Sequence, residues 1–259
     1  MGEQSWPHRD DQRGEDYRLS HLKPEKGESY ESSFTRNPFR KMMWEFEQAI
    51  LDGIWDSFLR GREIRHLDFA CGTGRILSHF AGRASLSVGI DISPSMLATA
   101  KKVHRGSELI EADITQNDPL GHRSFNLITA FRFFPNAQPR LRTEALRSLI
   151  RHLAEDGYLV FNNHMNMGSL LFRLARCLHR GGDDGMSHRE VCELVARNGL
   201  EIVATYGRGF VPVGEDHLYL PISLLQKAEI LLAKCTGIRG LAVNVVYVCR
   251  RLKNSLSQG

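Results

Sequence analysis

Residues 64–77 read IRHLDFACGTGRIL: an apolar run, a turn carrying two glycines, and the opening of a segment with helical apolar spacing. Gly72 and Gly74 let the backbone pass close to a ligand, because a residue without a Cβ tolerates both the tight bend and the close approach. The helix expected to follow aims its unpaired amides and the positive end of its dipole at the same place. Asp68, near the end of the expected strand, offers an acceptor for a cationic amino group. A dinucleotide turn of the GxGxxG kind needs a third glycine for the pyrophosphate, and Leu77 stands there instead. The pyrophosphate reading is weakened accordingly.

Outward from that bend, short β-rich runs alternate with helical segments, the signature of a mostly parallel sheet covered by helices. Seven strands are expected, over 64–70, 86–91, 108–112, 125–130, 158–162, 200–206 and 243–249, with helices near 75–81, 94–103, 139–153 and 187–198. Ser93-Pro94 and Ser187 are suited to starting helices, and Gly82, Gly157 and Gly199 to ending them. The fold class expected is α/β: a Rossmann-like sheet of seven mostly parallel strands, helices on both faces, and a helical lid. Residues 1–28 are polar and lack apolar periodicity, which predicts a disordered or loosely held tail. Apolar residues recur at three and four from Pro38 onward, which predicts a helical cap within residues 29–60. The remaining residues, 61–259, form the main domain, with insertions near 165–185 and 207–240 that are expected to roof the ligand crevice.

The second strand ends in VGIDIS, which sets Asp91 at a strand tip, where a carboxylate can grip both hydroxyls of a ribose. The third ends in LIEADIT, where Asp113 can accept from an adenine amine while Ala112 and Ile114 cover the ring. The fourth runs into ITAFRFFPNA, whose Phe131, Phe133 and Phe134 are expected at the crevice rim.

In this order and spacing the stretch from about residue 45 to 162 resembles the class I S-adenosylmethionine-dependent methyltransferases of the small-molecule type. The resemblance assigns Asp68, Ala70, Gly72 and Gly74 to the first cofactor motif, with Cys71 inside the same turn. It also assigns Asp91 to the ribose and Asp113 to the adenine side. Ile92 and Met96 would then pack on adenine, and Ala130 and Phe131 would border the methionine portion. Ala70 departs from the family, which more often has glycine there; alanine suits the position if its backbone is extended. Resembling enzymes fold the segment before the domain over the cofactor, which would let Tyr30 shield the methyl group and Arg36 meet the methionine carboxylate.

The implied cofactor is S-adenosyl-L-methionine, whose sulfonium already makes the methyl carbon electrophilic, so positioning supplies much of the rate and a base is optional. The candidate base is His164 in VFNNHMN, because an imidazole titrates near neutral pH; satisfying loop backbone groups is an equal alternative for His164 and Asn162. Asp216 and His217 form a second polar pair, for which loop capping is the alternative. The place after the fourth strand lacks the Asp/Asn-Pro-Pro-aromatic motif of adenine-type amine methylation, and Cys71 is not in a downstream Pro-Cys pair.

With a net charge of +4 spread along the chain, nucleic acid is allowed but not indicated as a partner. The five cysteines show no CxxC or His/Cys metal spacing, which suggests reduced thiols and no metal. The N-terminus lacks the apolar core of a signal peptide and no run reaches membrane-spanning length, so a cytoplasmic protein is expected. The acceptor is then an O, N or C nucleophile of a small molecule, or of a glycan or lipid-like precursor. The apolar residues Ile222, Leu224, Leu225, Ile230 and Leu231 of the second insertion hint at a partly hydrophobic one. An RNA methyltransferase and a non-catalytic cofactor-binding module are the alternative readings. Sequence alone leaves the oligomeric state open.

Overall fold

The computed structural model describes residues 17–18, 37–103, 106–177, 185–211 and 221–252. Helix α1 (Pro38–Ile54) leads into a π-helical turn (Trp55–Leu59), closed where the Arg60 amide donates to the Trp55 carbonyl at 2.9 Å. Then follow β1 (Arg65–Phe69), α2 (Arg75–Phe80), β2 (Leu86–Asp91), α3 (Pro94–Val103), β3 (Glu108–Glu111) and β4 (Phe125–Ala130). After these come α4 (Pro139–His152), β5 (Leu153–Asn163), α5 (Leu170–Cys177), α6 (His188–Arg197) and β6 (Leu200–Arg208). The last elements are α7 (Ile222–Ala233), a 3₁₀ turn (Thr236–Leu241) and β7 (Asn244–Arg251).

The seven strands form one sheet in the order β3-β2-β1-β4-β5-β7-β6. Five run parallel, and β7 is antiparallel to both β5 and β6. The central strands are apolar on both faces, as a sheet covered on both sides requires. Leu67, Ile128, Leu159 and Tyr247 face α4 and α6, while Leu127, Val160, Val246 and Val248 face α1 and α2. Each such side chain contributes about 1.5–3 kcal/mol by leaving water.

Where β4 meets β5 the expected boundaries shift. Helix α4 stops at His152 and the chain turns directly into β5, so Gly157 lies inside a strand instead of ending a helix. A Cβ at Gly157 would come 2.9 Å from the Phe125 carbonyl, so the close approach of two backbones, beside an irregularity in the β4–β5 register, demands the glycine. Gly199, with φ +72°, does end α6 in the left-handed conformation. Ser187 caps α6 with a reciprocal capping box to Glu190.

Of the expected tail, residues 17 and 18 are described, and these two are docked against the domain. The Tyr17 ring meets Phe133 edge-on at 5.9 Å, and its hydroxyl donates to the Arg132 carbonyl at 3.4 Å. No helix among the described residues is long and apolar enough to cross a membrane.

Candidate cofactor site

Because β1, β2 and β3 run parallel, their C-terminal ends open on one edge of the sheet, and the bend after β1 sits there. The Gly72 amide donates to Asp91 Oδ2 at 2.8 Å, and the Ser93 amide donates to Asp91 Oδ1 at 2.9 Å. The expected meeting of bend and acid is therefore present as a direct bond. Gly72 and Gly74 both have positive φ, +54° and +81°, which only glycine adopts without strain. Among the described residues, no atom beyond its chain neighbours lies within 4 Å of where a Gly72 Cβ would stand. The half-buried Gly72 backbone and the Asp91 carboxylate thus lie side by side at this end of the sheet.

Ala70 is also in the left-handed region, with φ +53°. The extended backbone that would have made alanine comfortable is absent, and the family's preference for glycine acquires a physical reason: a Cβ here is strained by about 1–2 kcal/mol. The Cys71 amide donates to the Ile90 carbonyl at 3.1 Å. The Cys71 thiol is buried, and burial pushes its pKa well up, so it is no thiolate nucleophile.

The structure turns Asp68 inward. Its Oδ2 accepts from the Leu77 amide at 3.1 Å and its Oδ1 from the Thr129 hydroxyl at 2.7 Å, with 1% of the residue exposed. Thr129 Oγ1 also lies 2.8 Å from His66 Nε2. With the hydroxyl donating to Asp68, the imidazole must donate to the hydroxyl. Burial raises the Asp68 pKa to about 7 against the pull of these bonds, and lowers that of His66 to about 3. Asp68 thus ties the strand to the helix after the bend; Thr129 and His66, both on the sheet, were not singled out by sequence.

Just past β3, Asp113 Oδ1 accepts from the Thr115 amide and hydroxyl at 2.9 and 2.6 Å, while Arg18 Nη1 donates to Oδ2 at 2.8 Å. Burial acts to raise the Asp113 pKa, but Thr115 and Arg18 more than offset it, and the carboxyl is held below its usual range. Met96 is 4% exposed, and Ile92 and Ala112 are half-buried. Ile114 lies in the core. The aromatic run after β4 is not a rim: Phe131, Phe133 and Phe134 are buried, with Phe133 edge-on to Phe69 at 4.7 Å and Phe134 against Phe161 at 4.8 Å. Ala130 is fully buried at the end of β4. Tyr30, Arg36, Asp216 and His217 fall outside the described residues.

Beyond β4 and β5 a buried polar cluster appears that sequence reading did not find. Glu47 of α1, 2% exposed, accepts at Oε1 from Asn244 Nδ2 (2.9 Å) and Asn162 Nδ2 (3.4 Å), and its Oε2 is 3.7 Å from the Arg132 guanidinium. The Arg132 amide donates to Asn162 Oδ1 at 2.6 Å, and Arg132 itself has φ +62°. Asn162 therefore serves both loop backbone and this cluster. His164, just past β5, is half-buried.

A separate cavity of about 610 Å³ between α6, β6 and the 3₁₀ turn shares no lining residue with the bend. There Cys192 Sγ is 3.7 Å from His188 Nε2. Burial raises the thiol pKa and lowers the imidazole's, so the pair is neutral and not a nucleophile with its base.

Residues 67–161 match the family described as a methyltransferase domain. Among solved structures, the chain resembles magnesium protoporphyrin IX methyltransferase from Synechocystis PCC 6803 with bound S-adenosylhomocysteine, at TM-score 0.61 and 12% identity, over 92% of this chain and 100% of that one. It also resembles the N-methyltransferase NodS from Bradyrhizobium japonicum WM9 in complex with S-adenosylhomocysteine, at TM-score 0.58 and 14% identity, over 93% and 100% of the two chains. The DhpI complex with S-adenosylhomocysteine matches at TM-score 0.58 and 16% identity, over 92% and 97%. No curated protein matches the sequence. Residues 67–161 thus match a methyltransferase domain, and the chain as a whole shares the fold of these S-adenosylmethionine-dependent enzymes.

Proposed function

We propose that this protein transfers a methyl group from S-adenosylmethionine to an O, N or C nucleophile of a small molecule. The observation that carries the reading is the Gly72–Asp91 bond, which builds an adenosine cradle out of backbone and one carboxylate. Asp91 would hold the ribose, Asp113 the adenine amine with Met96, Ile92 and Ala112 about the ring, and the bend at Ala70–Gly74 the methionine portion.

The cofactor supplies a methyl carbon already activated by its sulfonium charge. The chain's part is to align the acceptor and keep it there, which can itself supply several kcal/mol of barrier lowering. The acceptor would approach from the ends of β4 and β5, beside Arg132, Asn162 and His164. His164 is assigned as the group that takes a proton from the acceptor when it is a hydroxyl or ammonium. The small acceptor named for the porphyrin methyltransferase neighbour supports this scale of substrate.

The test is calorimetry with S-adenosylmethionine and S-adenosylhomocysteine, followed by incubation of metabolite extract with methyl-labelled cofactor and mass spectrometry. Binding with micromolar affinity and a labelled small product are expected. A folded sample that binds neither compound ends the reading.

A further inference from the structure

Helix α7 is fixed in orientation by its inner face. The Glu229 carboxylate, 3% exposed, accepts from the amides of Gly209, Phe210 and Val211 at 2.9, 2.8 and 2.8 Å, and Leu225 is buried against Met42 and Phe46 of α1. The opposite face must then point outward, and it carries Leu224 (51% exposed), Ile230 (48%) and Leu231 (66%). On α5, Leu170 and Leu174 are 67% and 55% exposed, one helical turn apart. Large apolar side chains grouped this way are uncommon on a surface that meets only water.

These helices rise from one edge of the sheet. Asn163, at the end of β5, pairs with Val245 near the start of β7, and Arg208, at the end of β6, pairs with Asn244. Asn166, ahead of α5, donates to the carbonyls of Gly240 and Ala242 at 2.7 Å each, which stitches the root of α5 to the 3₁₀ turn following α7. Leu241, 48% exposed, lies at that seam. It is the same edge on which the cofactor bend opens.

Among the described residues, the exposed charges on α5, on α7 and at the C-terminal end of α7 are cationic. Arg173, Lys227 and Lys234 are exposed among them, α5 contains no acid, and the one acid within α7 is the inward Glu229, while the exposed Glu45 of α1 accepts from Gln226 on the flank of α7 at 3.4 Å. Apolar side chains interleaved with cations complement a bilayer interface bearing anionic headgroups, where the leucines enter the acyl boundary and the cations meet phosphates. We infer that α5, α7 and Leu241 form a face that docks the protein reversibly on an anionic lipid surface, with the crevice opening turned toward the membrane. The occupant is lipid and not a second copy, because a self-complementary interface would set like-charged lysines and arginines against one another.

The experiment is cosedimentation of the full chain with phosphatidylcholine vesicles and with vesicles also containing phosphatidylglycerol, at low and high salt. The anionic vesicles should bind on the order of a hundredfold more tightly, three cations contributing about fivefold each, and salt should weaken that binding. The double variant Leu224→Glu/Leu231→Glu should lose at least about tenfold of vesicle affinity while keeping its melting temperature and its affinity for S-adenosylhomocysteine. Absence of anionic vesicle binding by protein that binds S-adenosylhomocysteine would overturn the inference, as would an unaltered affinity in the double variant. A concentration-dependent dimer abolished by the same substitutions would also overturn it and assign the face to self-association.

Discussion

The amide of Gly72 and the carboxylate of Asp91, nineteen residues apart, are bonded at 2.8 Å, so the turn after β1 and the tip of β2 form one rigid unit. Asp91 has two oxygens, one accepting from the Gly72 amide and the other from the Ser93 amide. Replacing it with alanine would remove the proposed ribose contact and free the bend together. Charge-assisted bonds contribute about 1.5–3 kcal/mol each, so Asp91→Ala is expected to weaken S-adenosylhomocysteine binding at least about a hundredfold by calorimetry. Unchanged affinity would remove Asp91 from the cofactor site.

Ala70 is a strained position next to that unit. Ala70→Gly relieves about 1–2 kcal/mol in the folded chain and loses roughly 0.5–1 kcal/mol through the greater freedom of the unfolded one, leaving a net gain near 0.5 kcal/mol. Ala70→Val, β-branched at φ +53°, should instead lower the melting temperature by several degrees. Differential scanning calorimetry distinguishes the pair, and a destabilised glycine variant would contradict the strain.

Asp68 makes stability depend on pH. Its folded pKa of about 7 is raised by burial above the ordinary 3.8, so the folded state holds a proton that the unfolded state releases. The stability this contributes is fully present below about pH 4 and falls as the pH rises through about 7, by at most about 1.4 kcal/mol per pH unit. Denaturant titrations of the wild type should show this decline, after subtraction of Asp68→Asn, which lacks the group. A difference that stays level between about pH 5 and about pH 8 would mean that Asp68 titrates elsewhere.

Glu47 holds three partners at once. Glu47→Ala leaves the Asn244 amide without its Glu47 acceptor, removes one of the two acceptors of Asn162 Nδ2, which keeps Asn244 Oδ1, and takes the carboxylate away from Arg132; an unsatisfied buried group costs about 1–3 kcal/mol. A loss of roughly 3 kcal/mol is expected in denaturant melts, with Glu47→Gln milder because its amide oxygen still accepts from Asn244. Equal losses for both variants would show that charge on Glu47, not acceptance, holds the cluster.

His164→Asn tests the proton acceptor once a substrate is in hand. If the imidazole takes the proton, the acidic limb of the kcat profile disappears in the variant. A profile of unaltered shape would return His164 to a loop-supporting role.

The bend and its acid were legible because the information is local: two glycines after an apolar run, and an acid closing the next one. Seven strands were legible for the same reason, since burial on both faces writes itself as short β-rich runs. What escaped notice depends on distant partners. Glu47 and Asn244 are 197 residues apart in sequence, and Tyr17 reaches Phe133 from within a polar stretch. The one signal there was an isolated tyrosine among charged residues. Phe131, Phe133 and Phe134 read as a rim because a strand end usually faces the ligand, whereas the loop after β4 folds back and packs them inside. The outward leucines of α7 read as a lid for the opposite reason: spacing says which residues share a face, and only Glu229 and Leu225 say which face is inside.

Strand β7 is threaded between two elements made before it, and β6 touches the sheet through β7 alone. Synthesis from the N-terminus can therefore assemble β1 to β5 into a cofactor half early, while β6 and α6 must wait without a hydrogen-bonding edge for residues 244–251 to emerge. In the nascent chain, the capacity to grip an adenosyl group would precede completion of the acceptor end, because Asn244, which closes the polar cluster there, is made after β1 to β5.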